Sequence, residues 1–152
     1  MKPKLFVILA VIGLLLVTSI ACSKVEGSQN VQRNTHKNLE VTIDEFMQGK
    51  NVVRSMEINK GDTLTLILGS NPSTGFRWTE NAQISDPAVM KQTKHEFVVP
   101  AIKDPQPGAA GKEVWNFDSL KAGTTKISAE YSRPWEGGEQ GEWTFDLTVI
   151  VK

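Results

Sequence analysis

The sequence predicts an all-β domain, a sandwich or barrel of about eight strands. Three observations predict it. Beyond residue 38, apolar residues alternate with polar ones at the period of a half-buried strand. Clusters of Gly, Pro, Asn and Asp recur between the alternating runs, where turns need their backbone freedom or stiffness. No stretch carries a sustained 3.6-residue period.

The elements follow in order. Leu39, Val41 and Ile43 mark the first strand, and residues 52–58 form the second after the break at Gln48-Gly49-Lys50. Gly61-Asp62 turns the chain into residues 63–68, followed by strands at 76–79 and 91–98, with a weak turn of helix expected across 85–90. The strand at 112–117 carries Val114, Trp115 and Phe117. Ala122-Gly123 turns into residues 124–131, with Ile127, Ala129 and Tyr131 on one face. The last strand, 142–151, points Trp143, Phe145, Leu147, Val149 and Val151 inward.

Ahead of this domain the pattern changes. Lys2 and Lys4 precede a run of sixteen uncharged residues ending at Ile20, and small residues follow at Ala21 and Cys22. Residues 1–21 thus read as a secretory signal. The competing reading, an uncleaved membrane helix, needs roughly 17 apolar residues or more. Cys22 is the only cysteine, so no internal disulfide can form and packing alone must hold the domain. Its place after Ser19-Ile20-Ala21 resembles the lipobox of bacterial-type lipoproteins, with Ser19 where leucine is usual. That resemblance implies a lipidated Cys22, an exported protein of the cell envelope and a membrane anchor at the outer face; an incidental cysteine in an ordinary signal is the alternative. Residues 22–38 are polar and aperiodic, a flexible tether, and residues 39–152 form one domain, expected to be monomeric.

Seventeen basic residues balance seventeen acidic ones, which argues against nucleic acid as a partner. His36 falls in the tether and His95 stands alone in a strand, so no metal site is expected. The chain has neither a Gly-x-Ser-x-Gly elbow nor a phosphate-binding glycine loop. We expect no enzyme and no cofactor.

Three loops stand out instead. Asn71-Pro72-Ser73-Thr74-Gly75, followed by Phe76-Arg77-Trp78, combines a fixed φ at proline with a glycine free to take positive φ, so this loop is stiff and sharply bent. Residues 100–111 hold three prolines and end in the nearly side-chain-free tip Gly108-Ala109-Ala110-Gly111, which lets backbone approach a surface closely. Arg133-Pro134-Trp135-Glu136-Gly137-Gly138 places a tryptophan and an arginine, the residue types richest in binding hot spots, between two strands. Trp135 either contacts a partner or folds back on its own domain. A sandwich binding carbohydrate or peptide on Trp78 and Trp135 is the alternative function.

Together the three loops resemble the chagasin family of cysteine protease inhibitors. The family's first loop reads Asn-Pro-Thr-Thr-Gly with an aromatic and a Trp soon after, its second is a Gly-x-x-Gly hairpin, and its third carries Arg-Pro-Trp. All three stand here in that order, with Ser73 in place of a threonine, and the resemblance spans nearly all of 39–152. It implies an immunoglobulin-like β-sandwich with three binding loops at one end. It further implies reversible, competitive inhibition of papain-like cysteine proteases. The protease-binding residues would be Asn71, Pro72, Ser73, Thr74, Gly75 and Phe76, then Gly108, Ala109, Ala110 and Gly111, then Arg133, Pro134 and Trp135. Thr74 would sit over the catalytic cysteine of the enzyme.

Overall fold

The computed structural model of the chain describes residues 34–99 and 108–152. The expected signal at 1–21, Cys22, the tether up to 33 and most of the second loop lie outside the described residues. Residues from Gln32 to Lys152 form one compact unit.

Nine strands make up the described fold. They are β1 (His36–Val41), β2 (Asn51–Ile58), β3 (Thr63–Ser70), β4 (Arg77–Trp78), β5 (Gln83–Ile84), β6 (Met90–Val98), β7 (Gly111–Ser119), β8 (Gly123–Ser132) and β9 (Trp143–Val151). One sheet has the order β1-β3-β7-β6; the other runs β2-β9-β8-β4, with β5 also on β8. β1 joins β3, and β2 joins β9, in parallel; the remaining pairs are antiparallel. The sheets face each other across Leu64, Leu66, Trp115 and Phe117 on one side and Ile127, Phe145, Leu147 and Val149 on the other, all fully buried. This is the immunoglobulin-like sandwich that the alternation and the loops imply. The inward faces of β8 and β9 match the expected ones, except that Trp143 keeps one edge in solvent.

Three local readings need correction. β1 begins at His36, so residues 36–38 belong to the strand rather than to the tether. Thr35 is held as well: its N–H donates to Asp62 Oδ1 at 2.7 Å. Ile43 does not extend the first strand but opens a helix, α1 (Ile43–Gln48). Thr42 caps it and Glu45 caps it in return, with Glu45 N donating to Thr42 Oγ1 at 3.3 Å and Thr42 N to Glu45 Oε2 at 3.0 Å. That spacing, Thr-x-x-Glu, was visible in the sequence. Residues 86–90 form a single turn on Asp86, not a helix, and the two-residue strand β5 precedes it.

Candidate functional site

All three loops emerge at one end of the sandwich. Loop 1 leaves β3 at Ser70 and enters β4 at Arg77; loop 2 connects β6 to β7; loop 3 connects β8 to β9. The register pairs Ser70 with Gly111, Arg77 with Ser132 and Tyr131 with Trp143, so the stems are neighbours.

Loop 1 is held by its own polar atoms. Residues Pro72–Thr74 make a turn of 3-10 helix. Asn71 Oδ1 accepts from Ser73 N at 3.3 Å and from Ser73 Oγ at 2.6 Å. Thr74 donates both its N–H, at 3.2 Å, and its hydroxyl, at 2.7 Å, to Asn71 O. Gly75 closes the turn at φ +83°, a conformation that penalises any side chain. Beneath it Tyr131 Oη accepts from Asn71 N at 2.9 Å and donates to Asn71 O at 3.2 Å.

Tyr131 belongs to a column of stacked rings under the loops. Phe46 of α1 stacks on Trp143 at 5.4 Å, Trp143 on Tyr131 at 4.7 Å, and Tyr131 on Phe76 at 5.4 Å. The Arg133 guanidinium ends the column 4.4 Å above the Phe76 ring. Phe76 is therefore 8% exposed and supports the loops from beneath. Trp78 is also buried, with Nε1 donating to Gly69 O at 2.9 Å, which removes it as a stacking platform for sugars.

Loop 3 is closed by its Glu- and Gly-rich tail. Arg133 N donates to Glu139 O at 2.8 Å, and Gln140 Nε2 donates to Arg133 O at 2.9 Å and Gly138 O at 3.0 Å. Trp135 remains 53% exposed at the tip. Its ring rests against loop 1: a Cβ on Gly75 would lie 2.6 Å from Trp135 Cη2. One edge of Trp135 thus leans on its own domain, as one of the two expectations had it, and the rest faces solvent.

Of loop 2 the described residues are 108–111. Gly108 and Ala110 are exposed and Ala109 half-buried. Gly108 reaches loop 1, its carbonyl 3.4 Å from Ser73 Oγ. Gly111 does not belong to the tip. It is buried at the start of β7, where a Cβ would meet Phe97 Cζ at 2.4 Å, so its missing side chain serves packing.

The exposed edge therefore runs from Gly108 through Ser73 and Thr74 to Trp135, with Arg133 and Pro134 behind. Beside it, Ile43, Met47, Lys50, Thr74, Phe76 and Trp143 surround a hollow of about 550 Å³. Lys50 Nζ lies 2.8 Å from Glu142 at that rim, and this hydrogen bond holds the Glu142 carboxyl below its usual range.

Loops 1 and 3, braced at one end of a sandwich beside the described end of loop 2, define a domain that presents a preformed edge for binding. The family model for the chagasin family peptidase inhibitor I42 matches residues 57–149, and the chain belongs to that family. Amoebiasin-2 of Entamoeba histolytica is 28% identical over 105 residues, 64% of this chain and 77% of that protein. Among solved structures, the cysteine protease inhibitor EhICP2 from Entamoeba histolytica gives a TM-score of 0.60 at 23% identity, over 77% of this chain and 97% of that one. The solution structure of Amebosin gives 0.52 at 27% identity, over 77% and 98%. PbICP-C, solved in complex with falcipain-2, gives 0.55 at 17% identity, over 76% and 99%. The likeness to EhICP2 and PbICP-C is one of fold.

Proposed function

We propose that this domain inhibits papain-like cysteine proteases reversibly and competitively, filling the active-site cleft with its loop edge. The observation that carries the reading is the bracing of loop 1. A protease substrate lies extended in the cleft, whereas residues 72–74 are wound into a helical turn whose hydrogen bonds would have to break before cleavage. Thr74 then sits over the catalytic cysteine as a plug rather than as a substrate. Its hydroxyl proton is already given to Asn71 O, so its role is to keep the loop in shape while its outer face fills space. Trp135 and Arg133 cover one side of the cleft and Gly108 to Ala110 approach the other. Loops ordered before binding lose little entropy on association, and the contact should be of ordinary size, about 1,600 Å² in total. Family membership and the loop order support this reading, as do the relatives named as cysteine protease inhibitors and the pairing of PbICP-C with falcipain-2.

Titration of papain with residues 32–152 tests it. Competitive inhibition at nanomolar to micromolar concentration is expected, with serine and metalloproteases unaffected. Full papain activity at micromolar domain would overturn the reading. The domain acts by binding and performs no catalysis of its own.

We further infer that residues 1–21 are removed and that a lipid on Cys22 anchors the chain at the outer face of an envelope membrane. The lone cysteine after a small residue and the polar stretch behind it support this. Mass spectrometry of the membrane-extracted protein should find a diacylglyceryl-modified Cys22 at the N-terminus; an unmodified thiol would overturn it.

A further inference from the structure

We propose that Glu113 and His95 are a positioning pair that sets the stems of loops 1 and 2 for inhibition; the proposal rests on the inhibitor reading above. The inward positions of β7 are Gly111, Glu113, Trp115, Phe117 and Ser119. Glu113 thus occupies a core position and is 4% exposed, where the strand pattern calls for an apolar side chain.

Its two oxygens reach the roots of both loops. Oε1 lies 3.2 Å from Ser70 Oγ and 3.3 Å from Trp78 N, both donating to it. Ser70 is the last residue before loop 1, and Trp78 lies just beyond it. Oε2 lies 2.6 Å from His95 Nε2. His95 is on β6, three residues before that strand ends and loop 2 begins, while Glu113 itself is in the strand that leaves loop 2. Trp115 steadies the imidazole, with ring centroids 4.9 Å apart. One carboxylate therefore joins four stems and ties the sheet of β3, β6 and β7 to β4 of the other sheet.

A buried carboxylate and its partners are seldom more stabilising than apolar side chains that replace them all together. Its distinct contribution here is direction. An apolar side chain at 113 would fill the space, but it would fix neither the Ser70 hydroxyl, nor the Trp78 amide, nor the His95 ring. Loop 1 would keep its internal bonds and lose its angle to the other two loops. Stability and inhibition should accordingly separate at this residue.

The test compares Glu113→Leu and Glu113→Gln. Melting temperature, inhibition constant against papain, and amide exchange at Thr74 and Gly75 in the free domain are measured for each. We expect Glu113→Leu, which leaves the Ser70 hydroxyl and the Trp78 amide without their acceptor, to melt several degrees below the parent, to inhibit at least tenfold more weakly while still folded at the assay temperature, and to exchange faster at Thr74 and Gly75. Glu113→Gln keeps the acceptor for Ser70 and Trp78 and can donate to a neutral imidazole, so it should recover most of the loss. A folded Glu113→Leu with unchanged inhibition and unchanged exchange overturns the proposal. So does inhibition that falls only as far as melting temperature falls. If Glu113→Leu does not fold, His95→Gln, at a partly exposed position, is judged on the same three readouts. If the parent domain does not inhibit papain, the inhibitor reading fails; unchanged exchange in the variant would then separately exclude the hold of this pair on loop 1.

Discussion

Gly75→Ala separates the two things that Gly75 does. At φ +83° a side chain is strained, at a cost of about 1–2 kcal/mol for the left-handed conformation. For a domain of this size that lowers the melting temperature by roughly 4–8 °C. The new Cβ would also lie 2.6 Å from Trp135 Cη2, about 1 Å inside a favourable carbon contact. The indole is at the tip of an exposed loop and must swing away. Losing a tryptophan hot spot costs about 2 kcal/mol or more, which is a rise of about thirtyfold in the inhibition constant. Gly61→Ala is the control. It carries the same kind of strain, at φ +88°, and its Cβ meets only the tip of the Asn34 side chain. Gly61 precedes β3 and Gly75 follows it, so the eight residues of β3, about 26 Å, separate the two sites. Melting curves and papain titrations of both variants decide the matter. Both should lose a comparable number of degrees, and Gly75→Ala alone should lose inhibition. If the two variants inhibit equally, Trp135 does not contribute to binding from the position that Gly75 supports.

Three other outcomes are expected. Tyr131→Phe deprives the Asn71 amide and carbonyl of their shared partner and should cost about 1–2 kcal/mol of stability, with a several-fold weaker inhibition constant; a thermal melt and a titration check both. A domain beginning at Leu39 loses three residues of β1 and the Thr35 bond to Asp62, so it should melt several degrees below one beginning at Gln32. The third concerns acid. The Asp62 carboxyl is held below its usual range, chiefly by the Thr35 N–H and also by Asn59. Its stabilisation is complete above the ordinary aspartate value of about 4 and disappears as pH falls through the lowered folded-state value. Asp62→Asn should therefore be less stable at neutral pH and lose less on acidification below pH ~4, as denaturant midpoints across pH would show.

How much of this was legible in the sequence depends on the kind of signal. Strands β3, β8 and β9 could be read because each buries one face, and burial on one face forces alternation that the sequence preserves. Loops 1 and 3 were legible through Pro72, Gly75 and Trp135, whose residue types restrict the backbone or stand out when exposed. Helix α1 was hidden because Leu39, Val41 and Ile43 continue an apparent strand; the Thr42–Glu45 pair contradicted that pattern. The burial of Phe76 and Gly111 was not legible, for one reason. A motif shows which residues travel together, but not which of them face solvent and which hold the others up. Glu113 gave no signal, and Tyr131 none beyond its inward place in the strand, because their hydrogen-bond partners are distant in sequence: Tyr131 and Asn71 are 60 residues apart, and Glu113 and Ser70 are 43.

The parallel pairing of β1 with β3 has a spatial consequence. It starts β1 at the same end as the turn at 59–62, and β9 finishes there too, with Lys152 N donating to Ile58 O and Lys60 N to Lys152 O. Both Thr35 and Lys152 therefore leave the domain at the pole farthest from Thr74 and Trp135. A bead or a second domain fused directly at either residue would be attached at the end of the sandwich opposite loops 1 and 3. Density of attachment, rather than its site along the chain, is then what would first obstruct an enzyme approaching those loops.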